Sequence, residues 1–204
     1  MTLNKLLQYK DRHKGQTLFI FGAGYGLDTL TEEEINKIKS NYTSIGCNQS
    51  YLKIKSNYYI AGHFHHSLMQ YHFGGEDAEV IFQGEPQKFY IENKTPRTTT
   101  LTDINIVGQP GDLPLPIENS ITPLIGAEQI GFSSTHLAYI MGAKNIVYVG
   151  FDFSARGHFY NQNKKLKQTA YENGLYIQEK YSKISPLIDE DINDFFTFNF
   201  RNDI

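Results

Sequence analysis

The stretch that most constrains the fold is TLFIFGAGYGLDTL, at residues 17–30. An apolar run at 18–21 is followed by three alternating glycines: Gly22, Gly24 and Gly26. This order predicts a buried strand, a glycine turn, and a helix that begins at Asp28 or Thr31. The free N–H groups of such a turn and the positive end of the helix converge on one place, so the stretch is typical of an anion site.

The rest of the chain alternates between strand-like and helix-like patterns. Strands are predicted over residues 18–21, 42–47, 57–61, 79–83, 101–107 and 145–149, with a final strand-like run at 195–200. Helices are predicted over residues 3–13, 31–40, 127–141 and 164–183. Such alternation predicts a Rossmann-like α/β protein with a mostly parallel sheet and helices on both faces of the sheet. We expect residues 1–204 to form a single domain.

Charge and composition exclude several classes of protein. The chain has 19 basic and 22 acidic residues and a net charge of −3, which argues against nucleic-acid binding. It lacks the roughly 20 consecutive apolar residues of a membrane span, and its polar beginning does not resemble a secretory signal. One cysteine, Cys47, fits a reducing compartment. We therefore expect a cytoplasmic protein with no membrane span, and a homo-oligomer remains open.

A proline-rich stretch interrupts the alternating pattern at residues 108–123. Its prolines and glycine forbid regular structure: Pro110, Gly111, Pro114, Pro116 and Pro123. Loops of this length in compact domains usually have a function. The predicted helix that follows this loop begins beside the expected ligand site. The sequence predicts a mobile loop here, lying over a ligand site.

The glycine turn departs from the fingerprint of dinucleotide-binding proteins. That fingerprint requires a third glycine at its sixth place, where this chain has Leu27, and an acidic residue after the second strand. The second strand is followed here by Asn48 and Gln49. NAD and FAD are therefore disfavoured, and a phosphate-binding P-loop is excluded because no Gly-Lys-Ser/Thr follows. A nucleotide of another kind is expected, and a plain tight turn is the alternative.

Polar residues follow the predicted strands at their carboxyl ends, where α/β sheets bind ligands. They are Gly22, Ala23 and Gly24 after the first strand, Asn48 and Gln49 after the second, His63, His65 and His66 after the third, and Gly150 and Asp152 after the strand at 145–149. Amides and one carboxylate suit a base, a ribose and phosphates. His63 and His65 are predicted to share one face of a strand, but neither a cysteine nor an HExxH motif accompanies them, so no metal is expected.

Three segments together resemble the bacterial lipooligosaccharide sialyltransferase family and related bacterial and phage proteins. They are FGAGYGL at 21–27, GCNQSY at 46–51, and SSTHLAYIMGAKNIVYVGFDF at 133–153, followed by Tyr160. The resemblance implies one Rossmann-like domain that transfers sialic acid from CMP-sialic acid to a glycan acceptor, with no cofactor and no metal. The expected function is therefore a nucleotide-sugar-dependent, sialyltransferase-like glycosyltransferase whose donor is a CMP-sugar.

The resemblance also implies roles for individual residues. Gly22 and Gly24 would contact the phosphates of the nucleotide, and Asn48 would contact the donor. Ser133 and Ser134 would line the cytidine pocket. Asp152 would hold the ribose, and Tyr160 would bind the departing phosphate. The family's catalytic histidine has no counterpart after Asn161. His63, His158 and His65 are therefore the candidates for a general base.

Two alternatives remain open from the sequence. One is a non-catalytic nucleotide-binding module that keeps the fold without the base. The other is a pyrophosphokinase-like enzyme, which needs a pair of carboxylates for Mg²⁺, and Asp152 alone supplies half of that pair.

Overall fold

The computed structural model of the chain describes residues 8–83, 98–101, 104–106, 124–126, 130–152, 157–181, 190 and 192–197. Its main sheet has six strands: β1 (Thr17–Phe21), β2 (Thr43–Cys47), β3 (Tyr58–Ile60), β4 (Glu79–Gln83), β5 (Thr98–Leu101) and β8 (Asn145–Val149). The strands lie in the order β5-β4-β3-β2-β1-β8, and every neighbouring pair is parallel. A separate parallel pair consists of β6 (Ile104–Ile106) and β7 (Leu124–Gly126).

Helices cover both faces of this sheet. They are α1 (Glu32–Asn41), α2 (Phe64–Phe73), α3 (Ile130–Ile140) and α4 (Lys164–Tyr181). Buried residues of α1, α2 and α4 pack in one apolar core with Phe21 and Tyr59. Leu137 and Ala138 of α3 pack in a second core with Leu18 and Ile20. Alternate residues of β1 therefore enter opposite cores, as expected for a strand buried on both faces. The predicted Rossmann-like α/β fold is confirmed.

Local sequence signals explain where α1 begins and where the chain turns after α3. At the start of α1 the Glu34 N–H donates to Oγ1 of Thr31 at 3.3 Å, and the Thr31 N–H donates to the Glu34 carboxylate at 2.8 Å. This reciprocal capping box was predicted, and it satisfies N–H groups that the helix itself cannot pair. Beyond α3 the chain turns at Gly142, where φ is +79°, a conformation that glycine adopts without steric cost.

Several predicted elements differ from the structure. Residues 8–15 form turns instead of the helical continuation predicted to 13, and the strand predicted over 101–107 divides into β5 and β6. Residues 192–197 are helical, so the strand-like run predicted at 195–200 is wrong over 195–197. In both terminal segments, packing of aromatic side chains such as Tyr9 and Phe195 into the cores outweighs local propensity.

The largest error concerns α2. His63 and His65 were predicted to share one face of a strand, but β3 ends at Ile60 and α2 begins at Phe64. His63 is the N-cap of this helix, and His65 lies in its first turn. Residues 65–70 are all buried, so the segment lacks the polar stripe by which a surface helix is usually predicted.

The loop predicted at 108–123 lies outside the described residues. So do parts of several predicted elements, at residues 3–7, 102–103, 107, 127–129, 182–183 and 198–200. Across the described part of the chain, no helix combines the length and the apolar character needed to cross a membrane.

Candidate functional site

The candidate site lies at the carboxyl ends of β1 and β8, where the strand order of the sheet changes direction. β2 to β5 extend from one side of β1, whereas β8 returns to pair with its other side. A crevice outside the strand ends at such a point is the usual ligand site of open α/β sheets. The loop that follows β1, residues 22–26, and the segment that follows β8, residues 150–152, meet there and form its floor.

Backbone hydrogen bonds tie these two segments together. The N–H of Gly22 donates to the carbonyl of Val149 at 2.8 Å, and the N–H of Gly24 donates to the carbonyl of Gly150 at 2.9 Å. The β1–β8 pairing thus continues for several residues beyond the strands. The glycine loop is held in one position by its neighbour instead of standing free.

The close approach of these segments explains their glycines. A Cβ atom on Gly22 would overlap the Gly150 carbonyl oxygen, and one on Gly24 would overlap Oδ1 of Asp152. Gly150 itself has φ of +74°, and a Cβ there would lie 2.7 Å from the Gly22 carbonyl oxygen. The sequence predicted a close backbone approach at these glycines. Its partner in the structure is the chain's own segment after β8.

Asp152 faces the glycine loop directly. Its Oδ1 accepts a hydrogen bond from the Gly26 N–H at 3.2 Å, and the residue is exposed. Gly26 belongs to a short 3-10 helix, Tyr25–Thr29, that separates the loop from α1. Of the two predicted helix starts, Asp28 and Thr31, the structure has the second, because the first α-helical residue follows the Thr31 cap. One N–H group of this loop is thus paired with a carboxylate of the protein itself.

Asn48 and Gln49 begin a second short 3-10 helix directly after β2. Asn48 has φ of +47°, a conformation that asparagine adopts more readily than most residues, and its backbone carbonyl accepts from the Gln70 side chain at 2.9 Å. Within the described part of the chain, the buried Asn48 Oδ1 has no hydrogen-bond partner. A buried polar atom of this kind is costly unless a ligand or solvent satisfies it. Gln49 is buried, and its amide nitrogen lies 2.6 Å from Nδ1 of His66.

Three histidines at the start of α2, His63, His65 and His66, form one cluster. The ring centroids of His65 and His66 lie 3.9 Å apart, and His63 lies 5.7 and 5.8 Å from them. Burial, and then the neighbouring His65, His63 and His158, hold the pKa of His66 well below its usual value of 6.5. A neutral imidazole accepts the Gln49 hydrogen bond at this position. His63 is exposed, whereas His65 and His66 are buried.

His158 approaches the same loop from the other side. It forms an isolated antiparallel bridge with Gly24, and its Nδ1 lies 3.3 Å from the carbonyl oxygen of Ala23. Burial lowers the pKa of His158, and the contact with the Ala23 carbonyl acts in the opposite direction. Its ring stacks on Tyr160 at a centroid distance of 5.2 Å. The predicted residues His158 and Ala23 are therefore direct neighbours.

Tyr160 lies deeper than the resemblance implied. Its side chain is fully buried in the first core, and burial raises the pKa of its hydroxyl well above 10. It belongs to a 3-10 helix, Phe159–Gln162, that packs against α4. The side chain is therefore part of the core beneath the glycine loop rather than an exposed phosphate ligand.

Ser133 and Ser134 are also buried, in the middle of α3. The Ser134 hydroxyl contacts the carbonyl oxygens of Ile130 and Gly131, both at 3.0 Å. It also hydrogen-bonds to Cys47, whose pKa is raised to about 12 because the thiol is buried. This hydroxyl is committed to the fold, and the contact aligns α3 with the end of β2.

Sequence reasoning listed His66 at this strand end without giving it a role, and it missed Gln70. Both lie on α2 and face the Asn48–Gln49 turn through the contacts given above. His63, His66 and Gln70 are spaced by three and four residues, which places them on one face of a helix. A test of this segment for helical periodicity could therefore have grouped these three residues. Among the described residues, no group of three His, Cys, Asp or Glu side chains could hold a metal ion.

Neither the protein-family models nor the curated proteins compared with this sequence gave a match. The fold and the site together define a Rossmann-like α/β protein. Its polar residues from β1, β2, α2 and β8 collect at the strand end where such folds bind nucleotides.

Proposed function

We propose that the protein is a nucleotide-sugar-dependent glycosyltransferase that resembles the bacterial sialyltransferases and uses a CMP-sugar as its donor. The observation that carries the proposal is the contact between the glycine loop and Asp152 at the ends of β1 and β8, with Asn48 at the end of the neighbouring strand β2. Gly22 and Gly24 keep the crevice free of side chains on the loop, and Asn48 Oδ1 is a buried acceptor to which a ligand group could donate.

The nucleotide would use Asp152 for its ribose. A carboxylate can accept hydrogen bonds from both hydroxyls of a diol, and Asp152 is exposed at the end of β8. The hydrogen bond from the Gly26 N–H to Oδ1 holds this carboxylate beside the glycine loop. The ribose would then lie over the glycine loop, with the phosphate near residues 22–24.

Catalysis would require a general base to activate an acceptor hydroxyl. His63 suits this role because it is exposed at the start of α2 and its neighbours His65 and His66 are buried. His158 is the second candidate, although its Nδ1 is engaged with the Ala23 carbonyl. The N–H groups of Gly22, Gly24 and Gly26 are engaged within the protein, so the charge on the departing phosphate would be met by other donors of the crevice rather than by a metal ion.

A specific observation favours a second candidate, a non-catalytic nucleotide-binding module. The Tyr160 side chain and both serines of α3 are buried, although the resemblance assigns them to the phosphate and the base. A chain that keeps the crevice but has buried these groups could bind a nucleotide without turning it over.

A turnover assay separates the two candidates. CMP-sialic acid and other CMP- and UDP-sugars are incubated with the protein and a panel of glycan acceptors, with and without EDTA, and the release of CMP or UDP is measured. We expect release from a CMP-sugar that is insensitive to EDTA. Binding of CMP without turnover of any donor would favour the binding module, and turnover abolished by EDTA would favour a metal-dependent transferase or kinase.

A further inference from the structure

β8 forms an edge of the main sheet, and its open side is unusually well suited to pairing. The strand is Asn145-Ile146-Val147-Tyr148-Val149, with neither a charged residue nor a proline. Natural edge strands commonly carry such residues to prevent association with other chains. Among the described residues no strand pairs with β8 on the side away from β1.

The hydrogen bonds to β1 identify which backbone groups face the open side. The Asn145 N–H is directed to the Gln16 carbonyl, and the Val149 carbonyl accepts from Gly22, so residues 145, 147 and 149 pair with β1. Successive residues of a strand direct their N–H and C=O groups to opposite sides. The N–H and C=O groups of Ile146 and Tyr148 therefore point to the open edge.

An exposed aromatic surface lies next to this edge. Phe132 and Tyr139 of α3 are each 52% exposed, and Tyr148 of β8 is 47% exposed. The Tyr148 hydroxyl lies 2.8 Å from Oγ1 of Thr135, which occupies the same stripe of α3 between the two exposed rings. The edge and the aromatic stripe thus form one continuous surface, defined by Phe132, Thr135, Tyr139 and Tyr148.

We propose that this surface binds a second copy of the chain through antiparallel pairing of β8 with β8, about a two-fold axis at Val147. In this register Ile146 of one copy lies opposite Tyr148 of the other, and each such pair exchanges both of its N–H···O bonds. These are the residues whose backbone groups face the open edge. The arrangement is closed and self-complementary, as a two-fold interface requires.

Side chains and charges support the same register. Ile146 and Tyr148 lie on the α3 face of the sheet, so the pairing places a tyrosine ring on a β-branched side chain, a favourable cross-strand pair. Because the axis is perpendicular to the sheet, the α3 helices of both copies lie on one face, with their aromatic stripes directed at each other. Lys144 of one copy falls opposite Gly150 of the other, two residues from the negative charge of Asp152.

A charge-swap experiment at Val147 tests the proposal, which does not depend on the proposed catalytic function. Sedimentation velocity and light scattering should give twice the chain mass of 23.4 kDa for the wild type. Val147→Lys and Val147→Glu place like charges opposite each other at the axis, so each alone should be monomeric. Mixed together, they should form a heterodimer. A wild type that is monomeric at every concentration would overturn the proposal, as would single variants that dimerise like the wild type.

A second pair of variants covers the case in which the Val147 variants do not fold. Tyr148→Pro removes an N–H that points to the open edge and breaks no hydrogen bond to β1, so it should give a folded monomer. Tyr148→Phe keeps that N–H and the ring, and should remain dimeric. Amide exchange at Ile146 and Tyr148 should slow as protein concentration rises. Protection of both amides in a monomer would show that another part of the chain covers the edge, and would also overturn the proposal.

Discussion

The N–H of Gly26 donates a hydrogen bond to Oδ1 of Asp152 at 3.2 Å, which joins the loop after the first strand to the end of the last strand of the sheet. These residues are 126 positions apart in the chain. The contact places a carboxylate over a turn whose N–H groups suit anions. The proposed nucleotide binding depends on this carboxylate, which is exposed beside the glycine loop.

The first prediction concerns that carboxylate. Asp152→Asn should weaken CMP binding by about 1.5–3 kcal/mol, the scale of a hydrogen bond to a charged group. Isothermal titration calorimetry measures the change. Asp28→Asn is the matched control, because Asp28 is a nearby carboxylate that pairs with Lys53 at 3.3 Å, and we expect its effect to stay within about 0.5 kcal/mol. Equal losses in both variants would indicate general electrostatics instead of a specific ribose contact.

The second prediction concerns the packing of the glycine loop. Gly24→Ala should lower the free energy of unfolding by about 1–3 kcal/mol, because its Cβ would overlap Asp152 Oδ1 and lie 2.6 Å from the Gly150 carbonyl oxygen. Gly26→Ala is the control, since the nearest atoms to its Cβ lie at 3.6 Å, an ordinary contact distance. Urea denaturation measures both variants. Equal stability of Gly24→Ala and Gly26→Ala would show that the close contact at Gly24 does not limit packing.

The third prediction concerns acid stability. The folded protein holds the pKa of His66 well below 6.5, so the unfolded chain binds more protons as the pH falls below about 6.5. The stabilisation from the neutral imidazole is therefore complete above that pH and is lost progressively at lower pH. His66→Gln should reduce the dependence of unfolding free energy on pH below about 6.5.

The control for this measurement is His72→Gln, at the opposite end of the same helix, where the imidazole contacts the Tyr181 hydroxyl. Urea denaturation at a series of pH values should give this variant a slope closer to that of the wild type. Identical slopes for His66→Gln and the wild type would contradict the assignment of a buried neutral imidazole.

The fourth prediction separates the two candidate bases. If the protein turns over a CMP-sugar, His63→Ala should lower kcat by roughly 10² to 10⁴ and leave CMP affinity unchanged. His158→Ala should instead weaken CMP affinity, because His158 contacts the Ala23 carbonyl and stacks on Tyr160 beneath the loop. Donor hydrolysis and CMP titrations on both variants and on His65→Ala provide the comparison. Full rates in all three variants would remove histidine from the mechanism.

The sequence predicted the sheet well because its strands carry strong local signals. Leu18 to Phe21 is a continuous apolar run that ends in glycine, and Asn145 to Val149 is β-branched and ends at Gly150. Both became central elements of the site. The capping box at Thr31 was equally local, and its two hydrogen bonds are present.

Helix α2 and the depth of Tyr160 were not predictable in the same way. Residues 65–70 are buried on nearly every side, so no alternation of polar and apolar residues marks them as helical. Tyr160 is buried because Phe159, α4 and the glycine loop enclose it, and these contacts join distant parts of the chain. Local patterns carry little information about such long-range packing.

The proposed function requires that the crevice between β1 and β8 bind a cytidine nucleotide. The most direct measurement is a thermal-unfolding series with CMP, CDP, UDP, GDP, ATP and NAD, each at about 1 mM, followed by titration of any ligand that stabilises the protein. We predict that CMP stabilises the wild type, by about 2.7 kcal/mol when present at a hundredfold excess over Kd, and that Asp152→Asn reduces the effect. Stabilisation by NAD together with no response to CMP would contradict the account.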